Sequence, residues 1–187
     1  MRIAIYGGTF NPIHIGHTSL AQSLIRQMIV DEVWLMVSPQ NPHKENDAAA
    51  YEDRLEMARL ATQGMEGVTV SDFEHNLPIP SYTFTTLQLL SKQYPQHKFF
   101  LVIGADNWAN FHHWYHASDI LCSYPILIYP RPHYTIDLSI APKESSVTIV
   151  DAPLYDISST DIRKHKKLNK INPDVLKYIR ANHLYNY

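Results

Sequence analysis

Two histidines, His14 and His17, close the stretch Gly7-Gly8-Thr9-Phe10-Asn11-Pro12-Ile13-His14-Ile15-Gly16-His17, which holds three of the six glycines in the chain. Glycine lets a backbone approach a ligand closely, and the free amides at a helix start favour an anion. The histidine spacing of three puts both imidazoles on one face of a helical turn. Beside an anion hole such a pair can donate to phosphate oxygens, and a phosphate dianion favours its protonated form. The stretch is neither a Walker A loop, since no Gly-Lys-Ser/Thr follows, nor a GxGxxG fingerprint. As half of a zinc site it lacks a neighbouring cysteine or carboxylate to complete the set. Phosphate binding is the chemistry that these residues predict.

Such a loop needs a buried strand before it and a helix after it. Short apolar runs at 3–6, 33–37, 68–70, 99–103, 126–129 and 147–150 read as strands. Continuous apolar runs suit strands covered on both faces. Amphipathic stretches at 16–28, 52–63, 83–94 and 108–121 read as helices. In the second of these, Leu55, Ala58, Leu60 and Ala61 form the apolar face, flanked by Arg54, Glu56 and Arg59. The alternation predicts an α/β fold, a Rossmann-like doubly wound parallel sheet with helices on both faces. Ligand sites in such sheets lie beyond the carboxyl ends of the strands, so residues after Tyr6, Val37, Ile103, Tyr129 and Val150 are expected on one rim. Two short helices are expected at the end. One starts at Ser158-Ser159-Thr160-Asp161; the other has an Asn172 cap followed by Pro173 and Asp174. Residues 130–142 read as a surface loop.

The 187 residues fit one domain, 1–187, with 45% apolar residues. A net charge of -2 argues against a nucleic-acid partner. A single cysteine, Cys122, forms no internal disulfide and points to the cytoplasm. With no apolar run of roughly 20 residues, no membrane partner is expected. A homo-oligomer stays open, with Tyr185 and Tyr187 as aromatics for an interface or a plain surface. His112, His113 and His116 read as polar loop residues, and no metal ligand is assigned to the protein.

Gly7 to His17 resembles the (T/G)GTFDPxHxGH signature of the nucleotidyltransferase superfamily, whose HIGH motif is spelled by His14-Ile15-Gly16-His17. A second element, Ile157-Ser158-Ser159-Thr160-Asp161-Ile162-Arg163, is similar to the ISSTxIR motif of these enzymes. Hydroxyls and amides at a helix start, with an arginine one turn in, would clamp a polyphosphate from the other side. Further elements resemble bacterial nicotinate-mononucleotide adenylyltransferases. They are Pro39 to Lys44 ending in Pro-His-Lys, Pro80-Ser81-Tyr82-Thr83, Ile103-Gly104-Ala105-Asp106, Trp114-Tyr115 and Arg131-Pro132. Asn11 and Thr85 stand where those signatures carry Asp, which removes a charge at each place.

The resemblance implies that the phosphate of nicotinate mononucleotide attacks the α-phosphorus of ATP and that pyrophosphate leaves. His14 and His17 would stabilise the α-phosphate, within a loop of Gly7, Gly8, Thr9, Phe10 and Gly16. Lys44, Arg131, Ile157, Ser158, Ser159, Thr160 and Arg163 would hold the phosphate chain, and Gly104 and Asp106 would meet ribose hydroxyls. Thr83, Trp114 and Tyr115 would bind the nicotinate, with Trp114 stacked on the cationic ring. Magnesium (Mg2+) would bridge the phosphates and keep several waters. The rival readings are another transferase of the superfamily, using nicotinamide mononucleotide or phosphopantetheine, and a non-catalytic nucleotide sensor. A class I aminoacyl-tRNA synthetase shares HIGH but needs a longer chain and a KMSKS loop.

Overall fold

A computed structural model describes residues 1–39, 48–152, 155–165 and 167–187. The chain alternates β1 (Arg2–Gly8), α1 (Ile15–Arg26), β2 (Glu32–Val37), α2 (Tyr51–Thr62), β3 (Val68–Ser71), α3 (Thr83–Gln93) and β4 (Lys98–Gly104). It continues through α4 (Ala105–Trp108), α5 (Ala117–Ser123), β5 (Ile126–Tyr129), β6 (Val147–Ile149), α6 (Ser159–His165) and α7 (Pro173–Ala181). The strands form one parallel sheet in the order β3-β2-β1-β4-β5-β6. From β1 the chain winds outward through β2 and β3, then returns to β4 on the other side of β1. This is the doubly wound, Rossmann-like arrangement, and its switch point lies between β1 and β4.

Strand alternation divides the core into two layers. Ala4 and Tyr6 of β1, Val102 of β4 and Leu127 of β5 pack with α1, α2, α6 and α7. Ile3, Ile5, Leu101, Ile103, Ile126 and Ile128 pack with α3, α4 and α5 on the opposite face. Both faces of the central strands are covered, which is why their sequences show no polar alternation. Among the described residues no helix is long and apolar enough to cross a membrane.

The expected helix over 108–121 is instead three pieces: the end of α4, a 3₁₀ turn at Phe111–His113, and α5. Trp108, Phe111 and Trp114 are three residues apart, and their rings follow one another at 5.3 and 5.2 Å. Three-residue spacing lines side chains up on a 3₁₀ turn, where an α-helix would fan them apart. His116, at φ 55°, then turns the chain into α5. The 130–142 loop is held inward where the Trp108 indole N–H donates to the Asp137 carbonyl at 2.8 Å. At the far end, Asn172 caps α7 by accepting from the Asp174 N–H at 2.8 Å.

Candidate active site

A cleft of about 1000 Å³ opens over the carboxyl ends of β1 and β4. Residues after β1, β2, β4 and β5 line it, as the rim argument requires, but those directly after β6 do not. Further walls come from Tyr155 to Asp161 with Arg163, and from Glu74 with the start of α3. Gly7 faces open space, whereas a Cβ on Gly8 would lie 2.9 Å from the Phe10 ring. Phe10 takes a left-handed φ of 48° and is buried, so its ring folds back over Gly8.

His14 is the N-cap of α1, and its Nδ1 accepts from the Gly16 N–H at 3.2 Å. His17 reciprocates, its Nδ1 accepting from the His14 N–H at 3.2 Å. The rings stack with centroids 3.7 Å apart. A Cβ on Gly16 would sit 3.0 Å from the His14 ring, which explains the glycine between the histidines. Because each Nδ1 accepts, the proton of each neutral imidazole is on Nε2, leaving an N–H on the far side of each ring. Burial, helped by the Arg131 charge, holds His14 at a pKa of about 3. Burial also holds His17 well below its ordinary value, with His14 and Arg131 adding to the shift. Both are held neutral at neutral pH, and a phosphate that favours their protonated form would have to overcome this burial. Protonating either Nδ1 would also set two donors against each other in the cap.

The start of α6 is bolted to the loop before α1. Ser159 Oγ donates to the Pro12 carbonyl at 2.9 Å, and Arg163 Nη1 donates to the Asn11 carbonyl at 2.6 Å. Ser158 Oγ donates to Asp161 Oδ2 at 2.7 Å, and that hydrogen bond holds the Asp161 carboxyl below its usual range. Ile157, Ser158, Ser159, Thr160 and Arg163 all line the cleft, and Arg163 also carries the structural contact to Asn11.

At the β4–β5 rim, Arg131 Nε lies 3.6 Å from Asp106 Oδ1, and both atoms are buried without a hydrogen-bond partner among the described residues. Gly104 makes room for this pair: a Cβ there would be 2.3 Å from Asp106 Oδ1 and 3.0 Å from Tyr129 Cζ. Arg131 Nη2 donates to the Tyr129 hydroxyl at 3.2 Å and its guanidinium lies 5.2 Å from that ring. Burial opposes the Arg131 charge, but Tyr129, Asp106 and Tyr6 together hold its pKa above the ordinary value.

The other end of the cleft is aromatic. Thr83, Trp114 and Tyr115 line it, and Tyr115 stacks on Tyr82 at 4.5 Å. Glu74 reaches the same wall, accepts from Thr86 Oγ1 at 2.8 Å and is pushed up by burial. Thr85, by contrast, is not among the residues lining the cleft. His116 turns to Asp119 and stacks on Phe84, away from His112. Among the described residues no three His, Cys, Asp or Glu side chains are grouped as metal ligands. Lys44 lies outside the described residues.

Two supports of the site were not legible as such. Arg54, read as a flanking residue, is 2% exposed. Its guanidinium donates to the carbonyls of Thr9 and Ser38 at 2.8 Å, Pro39 at 3.0 Å and Ala49 at 3.1 Å. The signal was present: Arg54 precedes Ala58 by four residues, which places it on the buried stripe. The second support is Asn11. Its Oδ1 accepts from the Ala49 N–H at 3.0 Å and from the Tyr185 hydroxyl at 2.6 Å. Tyr187 donates to the Ile162 carbonyl at 2.8 Å. Both tyrosines, expected as outward-facing aromatics, therefore turn inward onto the anion-binding elements.

Residues 5–165 match the cytidylyltransferase-like family. A probable nicotinate-nucleotide adenylyltransferase of Bacteroides fragilis is 46% identical over 87% of this chain and 81% of its own. One from Bacteroides thetaiotaomicron is 42% identical over 96% and 91%. A Plasmodium falciparum nicotinic acid mononucleotide adenylyltransferase, solved with NaAD, superposes with a TM-score of 0.86. That match covers 100% of this chain and 98% of the other at 21% identity, and so speaks for the fold. With the sequence relatives spanning nearly the whole chain, this protein belongs to the cytidylyltransferase-like nucleotidyltransferases and, among them, to the nicotinate-nucleotide adenylyltransferase family.

Proposed function

We propose that the protein transfers AMP from ATP to nicotinate mononucleotide, releasing pyrophosphate and forming nicotinate adenine dinucleotide. One observation carries the reading: the start of α6 is tied by Ser159 and Arg163 to the loop that presents His14 and His17, so two anion-binding elements face one cleft. A 5'-phosphate oxygen of the mononucleotide attacks the α-phosphorus of ATP, and the bond from that phosphorus to the oxygen bridging to the β-phosphate breaks. The nucleophile is already ionised, so no general base is required. Catalysis then consists of positioning and charge stabilisation. The Nε2–H groups of neutral His14 and His17 donate to the α-phosphate as charge builds. Arg131, Ser159, Thr160 and Arg163 receive the leaving pyrophosphate, joined by Lys44 on the sequence argument.

Thr83, Trp114 and Tyr115 take the nicotinate end, where backbone N–H groups suit a carboxylate and the Trp114 ring suits a quaternary pyridine. Magnesium fits as an ion carried largely by phosphates and water. Asp106 Oδ1 faces the Arg131 guanidinium at 3.6 Å, so it suits ribose hydroxyls as the sequence expects, and the ion would rest on phosphate oxygens and water. When bound, the ion supplies neutralisation of phosphate charge. A cytoplasmic setting goes with this reading, supported by the lone cysteine.

The test is pyrophosphate release by the purified protein with ATP and either nicotinate or nicotinamide mononucleotide. Release with neither would refute the activity, and equal kcat/KM for the two would refute the preference for nicotinate. His17→Ala is expected to lose about 10²–10³-fold in kcat, the effect of removing one preorganised donor.

A further inference from the structure

We infer that the Tyr129 hydroxyl is a further catalytic-site donor, giving its proton to a phosphate oxygen of bound ATP. The residue ends β5 at the rim, paired in register with Gly104, and lines the cleft. Two groups donate to its oxygen: the Tyr6 hydroxyl at 3.3 Å and Arg131 Nη2 at 3.2 Å. A phenol oxygen that accepts twice still holds its own proton. Among the described residues that proton has no acceptor, although Tyr129 is partly buried, and the nearby Asp106 Oδ1 is likewise without a hydrogen-bond partner.

The surroundings specify the ligand chemistry. The Tyr6 ring contacts both His17, at 6.0 Å, and Tyr129, at 5.7 Å, so the phenol lies on the same sheet face as the histidine pair. Arg131 links it onward to the Ile157 carbonyl at 3.5 Å, next to the start of α6. The O–H lies beside the Arg131 guanidinium, and the Asp106 carboxylate that faces Arg131 makes no hydrogen bond to it, so the acceptor that would satisfy it is an anionic oxygen of a ligand. Its place on the wall shared with α6 assigns that oxygen to the phosphate chain of ATP and not to the nicotinate end.

This inference takes its ligand from the proposed adenylyl transfer, and ATP binding without the second substrate tests it separately from turnover. Calorimetry would compare the wild-type protein, Tyr129→Phe, Arg131→Gln and the double variant. Tyr129→Phe keeps the ring that packs on Tyr6 and supports Arg131, so the fold is retained and a melting curve confirms it. The expected result is a loss of about ten- to a hundredfold in ATP affinity, the worth of a hydrogen bond to an ionised group. KM for the mononucleotide should stay within about twofold. The same loss should recur in the Arg131→Gln background. Unchanged ATP affinity would overturn the inference. So would a loss that vanishes without Arg131, because Tyr129 would then act only by orienting that side chain. ATP binding without pyrophosphate release by the wild-type protein would overturn the activity and leave the Tyr129 result decisive on its own question.

Discussion

Arg54→Lys keeps the charge and removes the fork. The guanidinium reaches four carbonyls on three separate segments, at Thr9, at Ser38 and Pro39, and at Ala49, with distances of 2.8 to 3.1 Å. An ammonium offers three protons from a single point, so at least one of these buried carbonyls loses its partner. An unsatisfied buried acceptor costs about 1–3 kcal/mol, and poorer geometry at the others brings the total to about 2–4 kcal/mol. For a chain of this size each kcal/mol lowers Tm by about 2–4 °C, so a drop of about 4–16 °C is expected. Activity should fall too, because the Thr9 carbonyl fixes the peptide plane leading into Phe10 and the phosphate loop. Well below the lowered Tm, kcat/KM should fall about tenfold or more. Thermal melts followed by circular dichroism, with pyrophosphate release at 25 °C, would measure both. A Tm within about 2 °C of wild type, which corresponds to less than 1 kcal/mol, would refute the carbonyl-collecting role. Lys177→Ala removes an exposed pair with Asp174 and is the control expected to leave Tm unmoved.

Stability should depend on pH through the histidine pair. His14 and His17 stay neutral in the fold but take up protons near pH 6.5 once unfolded, so the unfolded chain binds more protons as pH drops. Between about pH 7 and 5.5 the pair should cost about 2 kcal/mol, and denaturant melts showing equal stability at both pH values would contradict their burial as neutral rings. Gly104→Ala should depress activity and Tm together, because its Cβ must displace Asp106 and Tyr129. Gly7→Ala, with nothing within 4 Å, should keep Tm, and a crystal structure of each variant would check the displacement. Asn11→Ala should lose about 2–4 kcal/mol by stranding two donors, whereas Asn11→Asp keeps an acceptor for both and should melt close to wild type above about pH 5.

All six strands were legible in the sequence, the central ones as unbroken apolar runs because they are buried, but the rim held only after β1, β2, β4 and β5. The loop before α1 was legible through its glycines: Gly8 and Gly16 are needed where the Phe10 and His14 rings fold back over the backbone. What stayed hidden depends on contacts between distant segments. The protonation state of His14 and His17 follows from reciprocal capping and burial, neither of which their spacing displays. Arg54 looked like surface charge because residue type outweighed its position on the helix. Tyr129 closed an apolar run and read as the end of a strand, and only the positions of Tyr6 and Arg131 reveal what its hydroxyl does. The rings at 108, 111 and 114 matched a helix over a longer window, but packing all three in succession selected the tighter turn.

The hydrogen bond from Tyr185 to Asn11 has a consequence for synthesis. The phosphate loop follows the first strand to be made, yet the residue that steadies its Asn11 is 174 positions later. A nascent chain can assemble much of the sheet before that contact can exist, since domains fold from the N-terminal side as they emerge. The loop would therefore be the last part of the site to settle, and a chain stalled before residue 185 would carry both histidines without the brace that aligns them. Synthesis order and assembly order thus run opposite ways at this loop: its first residues are made early, and its brace can form only after residue 185 has emerged.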